Sequence, residues 1–385
     1  MPEACIIAAR RTPFGRFLGS ASRLSAVDLA VHAAEAALSG LPKESIDLVI
    51  AGNVLSAGLG MNVARQIGVR LDLPITAPAF SVNMMCGSGL QAVLLAVQAI
   101  RAGDADVVLC GGTESMSNAP HILQRSRTGT KFGDGQLVDT VLQDGLVDAF
   151  SGDHMALTAE RLAQQYSVSR EQQDEFAALS QQRCAAAAAN GHFTDELAPL
   201  PELSVDEHPR ADTTVAQLAA LKPAFSANGT ITAGNASGIN DGAAMLVVAS
   251  REAAAARQWP VLAQVSAVET VGCDPAAMGL GPVHAVRKLC HRYDLNPDGF
   301  DTIEINEAFA AQTLVCMQEL QLDRDRVNMD GGAIALGHPI GTSGARLAAH
   351  LAHRIAAGAV RNGLATLCIG GGMGAALALE ASLES

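Results

Sequence analysis

The chain has 385 residues, of which 49% are apolar, 17% charged and 3% aromatic, and its net charge is −13. At ~150 residues per domain this implies two or three domains with sizeable cores, and it excludes a disordered or fibrous chain. The acidity argues against nucleic acid or an anionic membrane as partner, and the scarcity of aromatics argues against a stacking platform for single strands.

In chain order, the apolar run Cys5 to Ala9 predicts a first strand. Arg10-Arg11 and Phe14 look superficially like a twin-arginine export signal. Gly19, Ser20, Ser22, Arg23 and Ser25 interrupt the stretch after them, however, and no window offers ~18 apolar residues free of charge and glycine punctuation. A cytoplasmic setting is expected. A helix over Ala26 to Leu38 and a strand over Ile46 to Gly52 come next. Leu90, Val93, Leu94, Val97 and Ile100 then mark one face of a helix. Asp106 to Cys110 reads as a strand ending at Gly111-Gly112. Such alternation predicts an α/β architecture with helices covering sheets.

From about Met116 to Ala244 the chain is richer in polar and turn residues, which predicts a large insertion or lid and not a third sheet. Inside it, Ser169 with Gln172 fits a capping box, and Asn190-Gly191 fits the end of that helix. Arg125, Arg127 and Lys131 make a short basic run, either an attractor for anionic groups or a solvated loop. Beyond Ala244 the α/β rhythm returns with a weak internal repeat. NMMCGSGL before a helix and VVLCGG after it are echoed by GHPIGTSGARL and ATLCIGGG. On this repeat Cys86 and His338 occupy comparable turns, and Cys110 and Cys368 comparable strand ends.

The eight cysteines contain no C-x-x-C pair, so metal-knuckle spacing is absent, and reduced thiols are expected. Cys86 lies just before a helix, where the positive helix end should lower its pKa, and Gly87 and Gly89 allow a carbonyl close to the backbone. The amide of Cys86 could polarise that carbonyl. A buried thiol at a tight turn is the plain alternative. His338, bracketed by glycines and followed by Pro339 at a predicted helix start, is the best candidate for a base serving a thiol, while His350 and His353 read as helix-surface or packing residues. Cys368 ends a strand and is followed by glycines. A phosphate loop is the rival reading, but the Lys-Ser/Thr of a P-loop is missing. Asn306, in Ile-Glu-Ile-Asn-Glu-Ala-Phe, could cap a helix or hold a water or carbonyl oxygen.

Together, NMMCGSGL, NEAFA, GGAIALGHPIGTSGARL, LCIGGGMG and TITAGNASGINDGAA resemble the signature set of the thiolases, in order and over nearly the whole chain. The Asn235-Ala-Ser-Gly form and the Asp153 to Glu160 segment resemble the biosynthetic, acetoacetyl-CoA branch. The resemblance implies two pseudo-symmetric βαβαβαββ halves in a layered α/β/α/β/α core with an inserted loop domain. The implied boundaries are 1–116 plus 240–261 for the first half, 117–239 for the loop domain, and 262–385 for the second half. The implied reaction is the reversible condensation of two acetyl-CoA to acetoacetyl-CoA and free CoA, with no metal or redox cofactor. Thiolysis of somewhat longer 3-ketoacyl-CoA is the alternative.

By the same resemblance Cys86 is the acylated nucleophile, His338 its base, and Cys368 the acid/base at the α-carbon. Asn306 holds a water that forms one oxyanion hole with His338, and the amides of Cys86 and Gly370 form the other. His154, Met155, Arg210, Leu221, Ala233, Ser237 and Phe309 fall where the family contacts coenzyme A. A homotetramer built of dimers is implied. The chain departs from the family's usual residues at Asp153, Ala156, Ile305, Asp330 and Thr342, and its segment between Leu200 and Arg210 is short.

Overall fold

The computed structural model describes residues 2–129 and 131–382. The first half runs β1 (Ala4–Arg11), β2 (Gly15–Arg16), α1 (Ala26–Ala37), β3 (Leu48–Gly52), α2 (Val63–Arg70), β4 (Ala79–Val82), α3 (Ser88–Ala102) and β5 (Val107–Ser115). A middle segment holds β6 (His121–Leu123), β7 (Leu137–Asp139), α4 (Met155–Gln165), α5 (Arg170–Ala189) and α6 (Val215–Ala219). The chain returns through β8 (Asn240–Ser250) and α7 (Arg251–Ala256). It then builds β9 (Ala263–Gly272), α8 (Gly281–Tyr293), β10 (Thr302–Ile305), α9 (Ala310–Leu320), α10 (Ala333–Leu336), α11 (Ser343–Ala356), β11 (Asn362–Ile369) and β12 (Met373–Glu380).

The strand path is β10-β11-β12-β9-β1-β8-β5-β3-β4. Its centre is the β1–β9 seam, where Cys5 lies opposite Gln264 and Ile6 opposite Ala263. Outward from that seam the two halves repeat one plan. The pair β5–β8 is antiparallel and β3–β5 parallel, just as β11–β12 is antiparallel and β10–β11 parallel. Where β4 flanks β3, the Ile303–Val327 bridge flanks β10.

Period-two alternation sorts the strand side chains into layers. Ile6, Ile50, Val108 and Leu246 face inward and pack with α3, α11 and Val265, Leu367 and Leu377 of the second half. Their neighbours Ile7, Val49, Leu109 and Val247 face outward onto α1 and α2. In the second half Ile303, Ile305, Leu364 and Ala376 pack outward with residues of α8 and α9. Two helices therefore lie between the two halves of this continuous sheet, with further helices outside. Each buried Leu, Ile or Val contributes about 1.5–3 kcal/mol. The window Met85–Ala102 is as apolar as a membrane span, but most of α3 is buried in this central layer.

The helix ends follow local rules. Ser25 with Asp28, and Ser169 with Gln172, form capping boxes, and α5 stops at Asn190 before Gly191 at φ 76°. Four expectations are corrected. The middle segment does contain a sheet, the β6–β7 hairpin. Strand β5 does not stop at Gly111-Gly112 but runs on to Ser115, because both glycines pair with β8. Cys110 is not the counterpart of Cys368. It lies mid-strand opposite Ile50 and Leu246, whereas Cys368 is the penultimate residue of β11. Finally, the repeat aligns Ser88 with Ser343, each the first residue of a central helix, so Cys86 and His338 stand at different distances from their helices.

One buried charge network ties the middle segment to both halves. Arg11 Nε donates to Glu196 at 2.6 Å and its terminal nitrogens to Asp206 at 2.7 and 2.9 Å. His350 pairs with Glu196 at 2.8 Å and Asp330 at 3.3 Å, and Arg354 reaches Asp330 at 3.1 Å. His350 is thus a buried ion-pair partner and not a surface residue, while His353 bonds the Ala9 carbonyl. Asp330, one of the departures, is held down to about 2, against burial, by His350, His192 and Arg354.

Candidate active site

The nucleophile candidate sits on a turn stabilised by its own helix. Met85 takes φ 48°, and Ser88 Oγ accepts from Met84 N at 2.9 Å while donating to Met85 O at 2.7 Å. Cys86 is left half-buried against the apolar cluster that includes Val54, Leu55 and Ile340. The expected drop in its pKa does not occur. Burial pushes the thiol up to about 11, although the backbone N–H groups of Gly370 and of Cys86 itself pull the other way. Helix α3 begins only at Ser88, so Cys86 is not its cap, and desolvation outweighs the helix end.

His338 does not start a helix. It lies in a turn between α10 and α11, where Thr342 N and Ser343 N both donate to Pro339 O. Its Nδ1 is 2.5 Å from Ser343 Oγ, and that hydroxyl donates to Pro339 O at 3.0 Å. The hydroxyl proton is therefore committed, Nδ1 carries the imidazole proton, and Nε2 presents a lone pair. Burial, then the charge of Arg346, brings His338 down to about 4. Arg346 itself lies 3.2 Å from buried Glu304. At neutral pH Cys86 is thus a neutral thiol and His338 a neutral imidazole.

Asn306 follows β10 and does not cap α9, which is preceded by Phe309. Its backbone N donates to Thr366 O at 3.0 Å, and its Nδ2 lies 3.4 Å from His338 Nε2. Its Oδ1 is buried and has no partner among the described residues, as suits a group that binds a water. Cys368 is 1% exposed, and burial, with the nearby thiols of Cys86 and Cys316, raises it well above 9. It packs among Met155, Ala308 and Phe309. The turns converge: Gly87 lies against Ile369, so a Cβ there would be 2.4 Å from the Ile369 side chain, and Gly370 faces Met155 and Met85.

The residues expected at coenzyme A fall into two groups. Met155 and Phe309 pack against Cys368. Ser237 Oγ donates to Ala308 O at 3.1 Å, and Ala236 bridges Phe309. His154 caps α4, accepting Ala156 N at Nδ1, and stacks on Phe225 at 4.5 Å between ring centroids. Farther out, Arg210, Leu221 and Ala233 line one cavity of about 310 Å³ together with His208. Arg125, Arg127 and Lys131 are exposed beyond the end of β6, and Thr130 beside them lies outside the described residues.

Three residues that support the site were not anticipated. Ser343 orients His338. Asn240 accepts from His338 N at 3.1 Å through its side chain. Glu114 accepts from Gly341 N at 2.9 Å. The signal for the last two was present in the sequence as the polar ends, Thr113-Glu114-Ser115 and Asn240-Asp241, of two otherwise apolar and fully buried strands.

Comparison with known proteins decides the family. The N-terminal thiolase domain matches residues 4–252 and the C-terminal thiolase domain residues 259–381. The chain belongs to the thiolase family. It is an acyltransferase of that family. An acetyl-CoA acetyltransferase of Pseudomonas aeruginosa is 48% identical over 98% of this chain and 99% of its own length. The crystal structure of human mitochondrial 3-ketoacyl-CoA thiolase in complex with CoA superposes with a TM-score of 0.97 at 42% identity, covering 99% of this chain and 98% of that one. The Bacillus anthracis acetyl-CoA acetyltransferase gives 0.96 at 40% identity, covering 99% of each chain. The thiolase fold read from the motifs, two similar halves around a central helical layer, is the fold found.

Proposed function

We propose that this thiolase is an acetyl-CoA C-acetyltransferase. Two acetyl-CoA give acetoacetyl-CoA and CoA, reversibly, through an acetyl-Cys86 intermediate. The observation that carries this is the half-buried Cys86 thiol, with the Gly370 and Cys86 N–H groups directed at it and a neutral His338 in the adjoining turn.

In the first half-reaction His338 Nε2 takes the Cys86 proton as sulfur attacks the thioester carbonyl. The N–H groups of Cys86 and Gly370 receive the developing oxyanion. Coenzyme A leaves as its thiol, taking the proton of Cys368. That leaves a thiolate at Cys368 and an imidazolium at His338. In the second half-reaction the Cys368 thiolate removes the α-proton of another acetyl-CoA. The enolate oxygen is met by the imidazolium and by a water on Asn306. The carbanion then attacks acetyl-Cys86, and the departing Cys86 sulfur recovers its proton from His338, so every group returns to its starting state. The covalent intermediate divides one difficult step into two.

Coenzyme A is assigned to His154, Met155, Arg210, Leu221, Ala233, Ser237 and Phe309. The outer cavity offers Arg210 as a cation in an otherwise acidic chain. The likeness to a 3-ketoacyl-CoA thiolase favours one second reading, thiolysis of longer chains. A homotetramer and a cytoplasmic setting complete the proposal. The exposed Phe132 and Leu137 support further subunit contacts in the middle segment.

Intact mass after incubation with acetyl-CoA tests the mechanism. One acetyl group mapping to Cys86 is expected, and Cys86→Ser should lower turnover by at least ~10³-fold with an unchanged circular dichroism spectrum. An adduct elsewhere, or wild-type thiolysis in the variant, sinks it. Acetoacetyl-CoA cleaved faster than 3-ketohexanoyl-CoA supports the short-chain reading, and the reverse order supports the second.

A further inference from the structure

The turn that carries His338 is held by the other half of the molecule. Asn240 on β8 accepts from His338 N, Gly242 O on β8 accepts from Thr342 Oγ1 at 2.7 Å, and Glu114 on β5 accepts from Gly341 N at 2.9 Å. Glu114 has the fullest set of partners. Its Oε1 also accepts from Asn53 Nδ2 at 2.8 Å and Leu55 N at 3.1 Å, and its Oε2 from Val54 N at 3.1 Å. One fully buried carboxylate thus gathers four N–H donors from two segments of opposite halves. Those segments meet around the nucleophile, because Val54, Leu55 and Ile340 form one apolar cluster against which Cys86 packs.

Every group bonded to Glu114 is a donor. Burial lifts its pKa to about 7, while the N–H groups of Leu55, Val54 and Gly341 oppose the lift and so favour the carboxylate. The fit is tight on both sides. A Cβ on Gly341 would fall 2.6 Å from Glu114 Oε2, and one on Gly112 would fall 2.1 Å from Gly341 O. The site has no slack through which the turn could relax if the carboxylate changed.

We infer that Glu114 is a positioning residue for His338: its carboxylate fixes the Gly337–Thr342 turn of the second half against the Asn53–Leu55 segment of the first, and so sets the imidazole at the distance from which it deprotonates Cys86. This rests on the reading of His338 as the base for Cys86.

The test is the pre-steady-state release of coenzyme A as acetyl-CoA acylates Cys86. Glu114→Gln keeps the shape but turns an NH2 group toward two of the four donors. Acylation should slow by about tenfold or more, as a small misplacement of a catalytic group does. The KM for acetyl-CoA should stay near wild type, while the Tm falls by several degrees because two buried donors now face an NH2 group. A merely structural role would not reproduce the second readout, alkylation of Cys86 by iodoacetamide in two backgrounds. With His338 present the Gln substitution slows alkylation. In His338→Ala it changes the residual rate by less than about twofold, since the group through which it acts is gone. Should Glu114→Gln not fold, Asn53→Ala removes one donor and is held to the same pattern with a smaller loss. Acylation at the wild-type rate in Glu114→Gln, or equal losses in both backgrounds, overturns the inference. Wild-type acylation in His338→Ala overturns the base assignment itself, and this inference with it.

Discussion

The turn before α3 is tied down by its own helix: Ser88 accepts from Met84 N and donates to Met85 O, and Asn83 accepts from Met85 N at 3.1 Å. The turn before α11 begins from the same serine, Ser343, bonded back to Pro339, but its remaining anchors are Asn240, Gly242 and Glu114 from the first half. A duplicated turn has thus been used in two ways. The one carrying the thiol is locally closed and leaves Cys86 half-exposed to a substrate. The one carrying the imidazole is fixed from outside, with His338 6% exposed and its proton confined to one nitrogen. A nucleophile needs access, whereas a base needs a fixed position and tautomer.

This contrast can be broken at two points, in decreasing order of effect. Gly112→Ala places a Cβ 2.1 Å from Gly341 O and 2.9 Å from Gly89 Cα, where the two turns and β5 meet. Overpacking should cost about 1–3 kcal/mol, read as a lower urea midpoint, and displacing His338 should lower acylation by about 10²-fold. An unchanged midpoint and rate would show that the contact is loose. Ser343→Ala frees the imidazole to take either tautomer without touching the nucleophile's turn. A kcat loss of roughly tenfold, at unchanged KM, is expected, a fraction of what the whole base contributes. Equal changes in kcat and KM would point instead to substrate binding.

The smallest effect concerns stability. His350 is raised from 6.5 to about 9: burial lowers it, but Glu196 and Asp330 more than reverse that. In that interval the folded state holds a proton that the unfolded state has lost. Its stabilisation is complete below pH 6.5 and disappears as pH rises through about 9. The Tm of the wild type should therefore drop several degrees more than that of His350→Gln between neutral pH and pH above 9. Parallel curves would remove His350 from the account.

Much of this is legible in the sequence. The Ser169–Gln172 box, the Asn190-Gly191 stop and the Ala26 helix depend on neighbours a few residues away, and local rules suffice for them. Cys86, His338, Asn306 and Cys368 stand out because glycines or strand ends bracket them. The features that escape a linear reading are set by distant partners. The pKa of Cys86 follows from burial against the cluster of Val54, Leu55 and Ile340, not from its helix. The tautomer of His338 needs Ser343 in place. The β5 glycines look like a strand end because their pairing with β8 is invisible locally. Asp330, a departure from the family's usual residue, makes sense only beside His192, His350 and Arg354, which gather from two segments of the chain.

The seam at β1 has a consequence for how the molecule is made. Ala4 lies opposite Ser250 and Cys5 opposite Gln264, so β1 leaves the ribosome with both its neighbours far downstream. The pairs β3–β4 and β3–β5, with their helices, can form early, but the central strand must wait with both edges unpaired until more than half the chain exists. Such non-local pairing is slow and prone to aggregation. β1 is therefore the segment that a nascent chain most needs to shield, and refolding from denaturant should wait on its insertion.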